Sequence, residues 1–212
     1  MSNSREKILS KVRQALISKV PVPFEGNTPS DSVFYPAPEE LELEFAENFT
    51  NLQGKFCYCG SIEELIENLN ELATKRKWAN VYCVEDKLQQ TLGAAGYSNF
   101  NAADLKACDA SITTCEALIA RTGSMLLTSA SQSGRTVSVY APVHICIAYV
   151  NQLVYDTRDA LKSLRTIYGN SFPSSVTFAA GPSRTADIEK TLVVGVHGPK
   201  EVYLFLIDEV SK

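Results

Sequence analysis

Basic residues are not in excess here. Lys and Arg number 20 against 24 Asp and Glu over 212 residues, a formal net charge of −4. Binding nucleic acid through its phosphates needs a basic stripe, so that class of partner is not suggested. No apolar run reaches the ~18 residues that a membrane-spanning helix requires. The first residues, MSNSREKILSKVRQAL, are charged and amphipathic and lack the apolar stretch of a secretory signal. Histidine is scarce, with His144 and His197 the two in the chain. Neither a G-x-G-x-x-G, a Walker A, an HExxH nor a G-x-S-x-G motif occurs. There is no internal repeat and no low-complexity segment.

What is present is a globular composition. Hydrophobic residues make up 45% of the chain, which excludes wholesale disorder. The length suits one domain, at most two, with a sizeable core. Six cysteines occur, Cys57, Cys59, Cys83, Cys108, Cys115 and Cys146. Four lie in or beside apolar runs (KFCYCG, VYCVED, VHICIAYV), where a free thiol packs as a small hydrophobe. With no CxxC and no zinc spacing, neither disulfides nor a metal site is expected. Cys57 and Cys59 face one side of a strand, and two thiols are too few to hold a metal. Without an export signal, a cytoplasmic location is expected.

The chain reads as two parts. Apolar residues Ile8, Leu9, Val12, Leu16 and Ile17 form a helical stripe, with Ser4 as its candidate cap. Five of the nine prolines then fall between residues 19 and 38, an irregular segment. Residues 1–38 are therefore expected to be a helix and linker, and 39–212 an α/β domain. Within that domain, helices are expected at Glu39–Asn51, over SIEELIENLNELATKR with a Ser61/Glu64 capping box, over EDKLQQTLGAAG, and at Asp156–Tyr168. Strands are expected at KFCYCG, NVYCV, Ala110–Thr114, MLLTSA, TVSVYA, HICIAYV, SVTFAA and VYLFLI, with Cys115–Ala120 a turn or short helix. Strands alternating with helices predict a mixed, mostly parallel sheet flanked by helices.

Three polar segments interrupt the later strands. The first is Arg121-Thr122-Gly123-Ser124, whose glycine suits a turn with exposed backbone donors. The second is Ser133-Gly134-Arg135, followed after the next strand by Ala141-Pro142-Val143-His144. A histidine opening an apolar strand is first of all a hydrogen-bonded core group. The third runs Gly181-Pro182-Ser183-Arg184-Thr185-Ala186-Asp187-Ile188-Glu189, followed by Gly195-Val196-His197-Gly198-Pro199. Here a helix is expected to begin near Thr185 or Ala186, capped by Ser183 or Thr185, with Asp187 in its first turn. Free N–H groups at such a helix start, with Arg184 beside them, would suit a carboxylate or phosphate. An ordinary cap, with Arg184 paired to Asp187, reads equally well. Glycines around His197 bring the backbone close to a neighbour. Arg121 and Arg135 either serve an acidic ligand or face solvent.

Taken in order, RTGS, RTVSVYAPVHI and GPSRTADIEKTLVVGVHGPKEVYLFLI resemble the LUD-domain family, in the lactate utilization protein C (LutC/YkgG) group. The resemblance covers roughly residues 40–208, and the string from 181 to 199 is its most specific part. It implies an α/β fold like that of the sugar-phosphate isomerases and CoA transferases (NagB/RpiA type). It also implies a role beside two iron–sulfur partner proteins in oxidising L-lactate to pyruvate. The iron–sulfur clusters are expected on the partners, with no cofactor in this chain. The family's TG maps to Thr122 and Gly123, and its P-x-H-I to Pro142, His144 and Ile145. Its G-P-S-R-T-x-D-I-E maps to Gly181, Pro182, Ser183, Arg184, Thr185, Asp187, Ile188 and Glu189, and its H-G-P to His197, Gly198 and Pro199. Arg121 departs from it, since many members carry an acidic residue there. On this resemblance Thr122, Gly123, His144, Gly181, Ser183, Arg184, Thr185, Asp187, Glu189 and Gly198 are expected ligand-binding positions, and the polar segments add Ser124 and Arg135. His197 is the expected proton-transfer or hydrogen-bonding group. An independent enzyme acting on a phosphorylated or CoA-linked substrate, or a non-catalytic interaction module, remains open. No catalytic activity is assignable to this chain alone.

Overall fold

The computed structural model describes residues 4–17, 36–185 and 193–209. The chain divides into two compact units, Met1–Pro36 and Ala37–Lys212. In the first, helix α1 spans Ser4–Ile17 and carries the expected apolar stripe. Residues 18–35, most of the proline-rich segment, lie outside the described residues.

The second unit runs α2 (Leu41–Asn51), β1 (Lys55–Cys59), α3 (Ile62–Arg76), β2 (Val81–Tyr82), α4 (Asp86–Ala94), β3 (Ala110–Thr113), β4 (Ala117–Ile119) and β5 (Ser124–Thr128). It continues with α5 (Val137–Tyr140), β6 (Val143–Tyr149), β7 (Leu153–Val154), α6 (Thr157–Tyr168), β8 (Val176–Ala179), β9 (Arg184–Thr185), β10 (Val193–Val194) and β11 (Glu201–Ile207).

Local signals explain the helix starts. Ser61 accepts the Glu64 N–H at 3.3 Å, while the Glu64 carboxylate takes the Gly60 N–H at 2.8 Å. Two donors at the start of α3 are thereby satisfied. Asp156 caps α6 by accepting the Arg158 N–H at 2.9 Å, and Asp159 reaches back to the Asp156 N–H. Both Ala160 and Leu164 are buried on α6.

The strands form two main sheets. One is five-stranded and wholly parallel, in the order β1-β11-β6-β3-β2. The other is four-stranded and mixed, β7-β4-β5-β8, and holds antiparallel pairings of β5 with β4 and β8. Both faces of the parallel sheet are covered, which explains the near-continuous apolar runs of β6 and β11. Val143, Ile145 and Ile147 of β6 pack with Leu65 and Leu69 of α3 and Leu88 and Leu92 of α4. Cys146 and Ala148 point the other way, with Leu204 and Leu206 of β11, and meet Phe45 and Phe49 of α2 and Leu118, Met125 and Leu127 of the second sheet. The far face of that sheet, Ala117, Ile119 and Leu126, packs on α6. The layers are thus helix, sheet, sheet, helix, with α2 between the sheets. Each fully buried Leu, Ile or Phe contributes roughly 1.5–3 kcal/mol. Among the described residues, no helix is long and apolar enough to cross a membrane.

The mixed, mostly parallel α/β architecture agrees with the expectation, and two local readings are corrected. TVSVYA is not a strand: Val137–Tyr140 is the short helix α5. Residues 117–119 are the buried strand β4, not a turn or helix. The helix expected to begin near Thr185 or Ala186 falls on residues that are mostly outside the described ones. Arg184 and Thr185 form β9, antiparallel to Val194 and Val193 of β10, while residues 186–192 lie outside the described residues.

Candidate functional site

In open α/β sheets, ligands are held at the carboxyl ends of the strands. Here that end carries a polar cavity of about 90 Å³, lined by Thr113, Thr114, Cys115, Glu116, Leu127, Thr128, Ser131, Ser133, Gly134 and Ser138. β3 delivers Thr113 and the residues after it. Thr128 closes β5, and the turn that follows brings Ser131, Ser133 and Gly134. Such a volume admits several waters or a small organic molecule.

Two carboxylates organise the hydroxyls. Glu85, just past β2, is 7% exposed. One of its oxygens takes the Thr114 N–H at 3.1 Å and the Thr114 hydroxyl at 2.6 Å; the other takes the hydroxyls of Ser131 at 3.3 Å and Ser133 at 2.6 Å. Four donors compensate its burial and lock the cavity wall. Glu116 is freer. Its Oε1 takes the hydroxyls of Thr128 and Tyr168, both at 2.7 Å. Neither Glu85 nor Glu116 is singled out by the sequence, and of these hydroxyls only Ser133 is. Their one signal was the hydroxyl-dense stretch Thr128–Ser133 following a buried strand.

His144 stands one step behind this cavity. It is 1% exposed, and its Nε2 lies 2.8 Å from the hydroxyl of the lining residue Thr113. Burial alone pushes its pKa down to about 4, so the ring is neutral near pH 7. It is a satisfied core histidine that positions Thr113. Arg135 is exposed, follows the lining residue Gly134, and donates to Ser174 Oγ at 2.7 Å. That hydroxyl is 3.1 Å from Ser129 Oγ, next to Thr128.

The Thr122-Gly123-Ser124 segment lies elsewhere, against α2. Gly123 has φ +56°, and a Cβ there would sit 2.5 Å from the Phe49 backbone nitrogen. The glycine is thus required by close packing on α2. Asn48 donates to the Ala120 carbonyl at 2.9 Å beside it. Ser124 donates to the Thr122 carbonyl at 3.3 Å. The Thr122 hydroxyl oxygen is buried and, among the described residues, without a hydrogen-bond partner. Arg121 pairs with Asp156 at 2.8 Å, tying this turn to the α6 cap. Opposite that buried carboxylate a cation is favourable.

Of the string from 181 to 199, the described residues 181–185 and 193–199 gather at the opposite end of the parallel sheet, before β6 and β11. Gly181, at φ +77°, presses on the Leu52 carbonyl, which a Cβ would approach to 2.4 Å. Arg184 is exposed and donates to that same carbonyl at 3.1 Å. The Ser183 N–H is committed to the Pro199 carbonyl at 3.0 Å, and Ser183 accepts the Gly195 N–H at 2.9 Å. Gly198 lies against the Ser183 side chain. One of the backbone donors expected there for an anion, the Ser183 N–H, is therefore already used. Thr185 pairs with Val193, and Asp187 and Glu189 lie outside the described residues. His197 is exposed and lines an open groove of about 470 Å³ with Tyr140, Pro142, Gly198 and Lys200. Neighbouring residues of α5 line the two places, Ser138 the cavity and Val139 and Tyr140 the groove, and His144, two residues after Pro142 of the groove, reaches Thr113 of the cavity.

All six cysteines are free. Cys57 and Cys59 approach to 4.0 Å between sulfurs. Among the described residues, no three His, Cys, Asp or Glu side chains cluster as metal ligands would.

The LUD domain model matches residues 84–207, more than half of the chain and all but α2, β1, α3 and β2 of the α/β unit. The chain belongs to the LUD-domain family. LUD-domain relatives include lactate utilization protein C of Bacillus subtilis, 37% identical over 100 residues, which are 46% of this chain and 42% of the relative. The protein of the same name from Shouchella clausii is 36% identical over 102 residues, 48% and 44% of the two chains. An uncharacterized protein of Neisseria meningitidis serogroup B is 34% identical over 105 residues, 49% and 45%. The chain spans about half the length of the curated relatives it matches. The crystal structure of a DUF162 family protein from Deinococcus radiodurans superposes with a TM-score of 0.57 at 18% identity, covering 79% of this chain and 96% of that one. It supports the LUD-domain fold alone.

Proposed function

We propose that this LUD-domain chain works in lactate utilization, as a subunit of the system that oxidises L-lactate to pyruvate. In this reading it acts with two iron–sulfur partner proteins that carry the electrons, and it holds a small carboxylate or helps assemble the complex. The observation that carries the reading is the LUD-domain match over residues 84–207, together with the name lactate utilization protein C borne by relatives that match this segment. The polar cavity falls inside the same segment, at the end of the sheet where α/β proteins bind ligands.

Two experiments test it in the native host. Deleting the gene is expected to abolish growth on L-lactate but not on glucose. Affinity capture of the full chain from lactate-grown cells is expected to recover two iron–sulfur proteins. Normal growth on lactate, with no iron–sulfur protein captured, would sink the proposal.

A further inference from the structure

The hydroxyls around the polar cavity have a fixed polarity. Thr114, Thr128, Ser131 and Ser133 direct their protons to Glu85 or Glu116. Thr128 and Ser131 also accept a backbone N–H, from Ala130 at 3.3 Å and from Ser133 at 3.0 Å, and all that the four hydroxyls have left to offer a ligand is lone pairs. Glu85 has both oxygens filled, whereas among the described residues Glu116 Oε2 receives no hydrogen bond. The interior is thus rich in acceptors and carries one carboxylate oxygen ready for a donor. A bare anion is repelled there, while a ligand O–H is welcome. The cation nearby in sequence is Arg135, held on Ser174 beyond the lining Gly134. A ligand complementary to both features has a hydroxyl at one end and an anion at the other.

We infer that the cavity between Thr113, Glu116, Thr128 and Ser133 binds a small 2-hydroxy carboxylate, its hydroxyl donating to Glu116 and its carboxylate turned toward Arg135. The place of the site stands on the geometry; the choice of a hydroxy acid rests also on the lactate-utilization reading. Glu116 is then a ligand-binding residue, oriented by Thr128 and Tyr168. A keto acid lacks the O–H, so its oxygen would face Glu116 and the hydroxyl lone pairs without a proton between them. The site therefore discriminates hydroxy acid from keto acid.

Calorimetric titration of the full chain with L-lactate, pyruvate and glycerol tests this. Wild type is expected to bind L-lactate at least tenfold more tightly than pyruvate, since a buried hydrogen bond to a charged group is worth roughly ten- to a hundredfold. Glu116→Gln is expected to erase that preference. Arg135→Ala, at an exposed position, is expected to weaken both acids about tenfold alike, and it reads the site without disturbing the interior. Melting curves accompany both variants. L-lactate bound equally by wild type and both variants would overturn the site while leaving the lactate reading intact. Glycerol bound and lost in Glu116→Gln, with no lactate binding, would overturn the hydroxy-acid assignment and remove this site's support for that reading. No binding of any of the three would overturn the inference outright.

Discussion

Acidification is expected to destabilise the α/β unit through His144. The ring is buried between β3 and β6, with the Thr113 hydroxyl as its hydrogen-bond partner. Burial lowers its pKa from 6.5 to about 4, so the folded state resists protonation that the unfolded chain accepts. Between those values the unfolded state binds more protons, and stability rises with pH. The contribution is complete above pH 6.5 and is lost as the pH falls toward 4. At about 1.4 kcal/mol per pH unit, the full loss is about 3 kcal/mol, and about 2 kcal/mol is gone by pH 5. Urea unfolding at pH 7.5, 6 and 5 measures it, with His144→Gln as the reference. Carboxylates also titrate in this range, but they do so in both proteins. The expected result is a drop between pH 7.5 and pH 5 that is about 2 kcal/mol smaller in the variant. Equal drops would refute the reasoning, because the ring would then be accepting its proton in the fold.

Other outcomes follow from the packing. Gly123→Ala forces a Cβ onto the Phe49 backbone at a positive φ, and is expected to cost about 2 kcal/mol or more, read as a lower melting temperature. Arg121→Glu sets a second carboxylate against the buried Asp156; it is expected to lower stability by about 1–2 kcal/mol, whereas Arg121→Lys loses less. Cys57 is half-buried and its pKa is lowered to about 7 by the hydrogen bond with Cys59, while the other five thiols are buried. Disulfide reagents at pH 7.5 are expected to label one thiol per chain quickly, and Cys57→Ser is expected to remove that phase.

The long elements were legible because their signals are local. Ser61 and Glu64 announce α3, and the apolar runs of β6 and β11 announce central strands. The short ones were decided by neighbours. Val-Ser-Val-Tyr at 137–140 alternates like a strand, yet neither strand next to it in the chain has an open edge. β6 already pairs with β3 and β11, and β5 with β4 and β8. The segment winds instead into one helical turn, with Tyr140 N–H on the Thr136 carbonyl at 3.0 Å. Leu118 and its neighbours read as a turn because three residues give no period, but they are the centre of the second sheet. Of the candidate site, the sequence showed Arg135 and His144 and missed Glu85 and Glu116. Glu85 and Ser133 are 48 positions apart, a pairing that only the parallel crossover creates. The motif residues from 181 to 199 were visible because they are unusual, and much of that pattern is spent on close backbone contacts with Leu52 and Pro199.

The position of β11 has a consequence for how the domain is made. It lies between β1 and β6 and supplies β1 with its partner along all five residues. During synthesis, Lys55–Cys59 therefore emerges roughly 150 residues before its neighbour, or on the order of ten seconds at usual translation rates. Through that interval β1 is unpaired, and for its last third, once β6 has been made, one edge of β6 is unpaired as well, so that the nascent chain then presents two sticky strand edges. Assembly of this sheet waits for its latest-made strand, which makes the LUD domain a natural client for whatever shields growing chains on the ribosome.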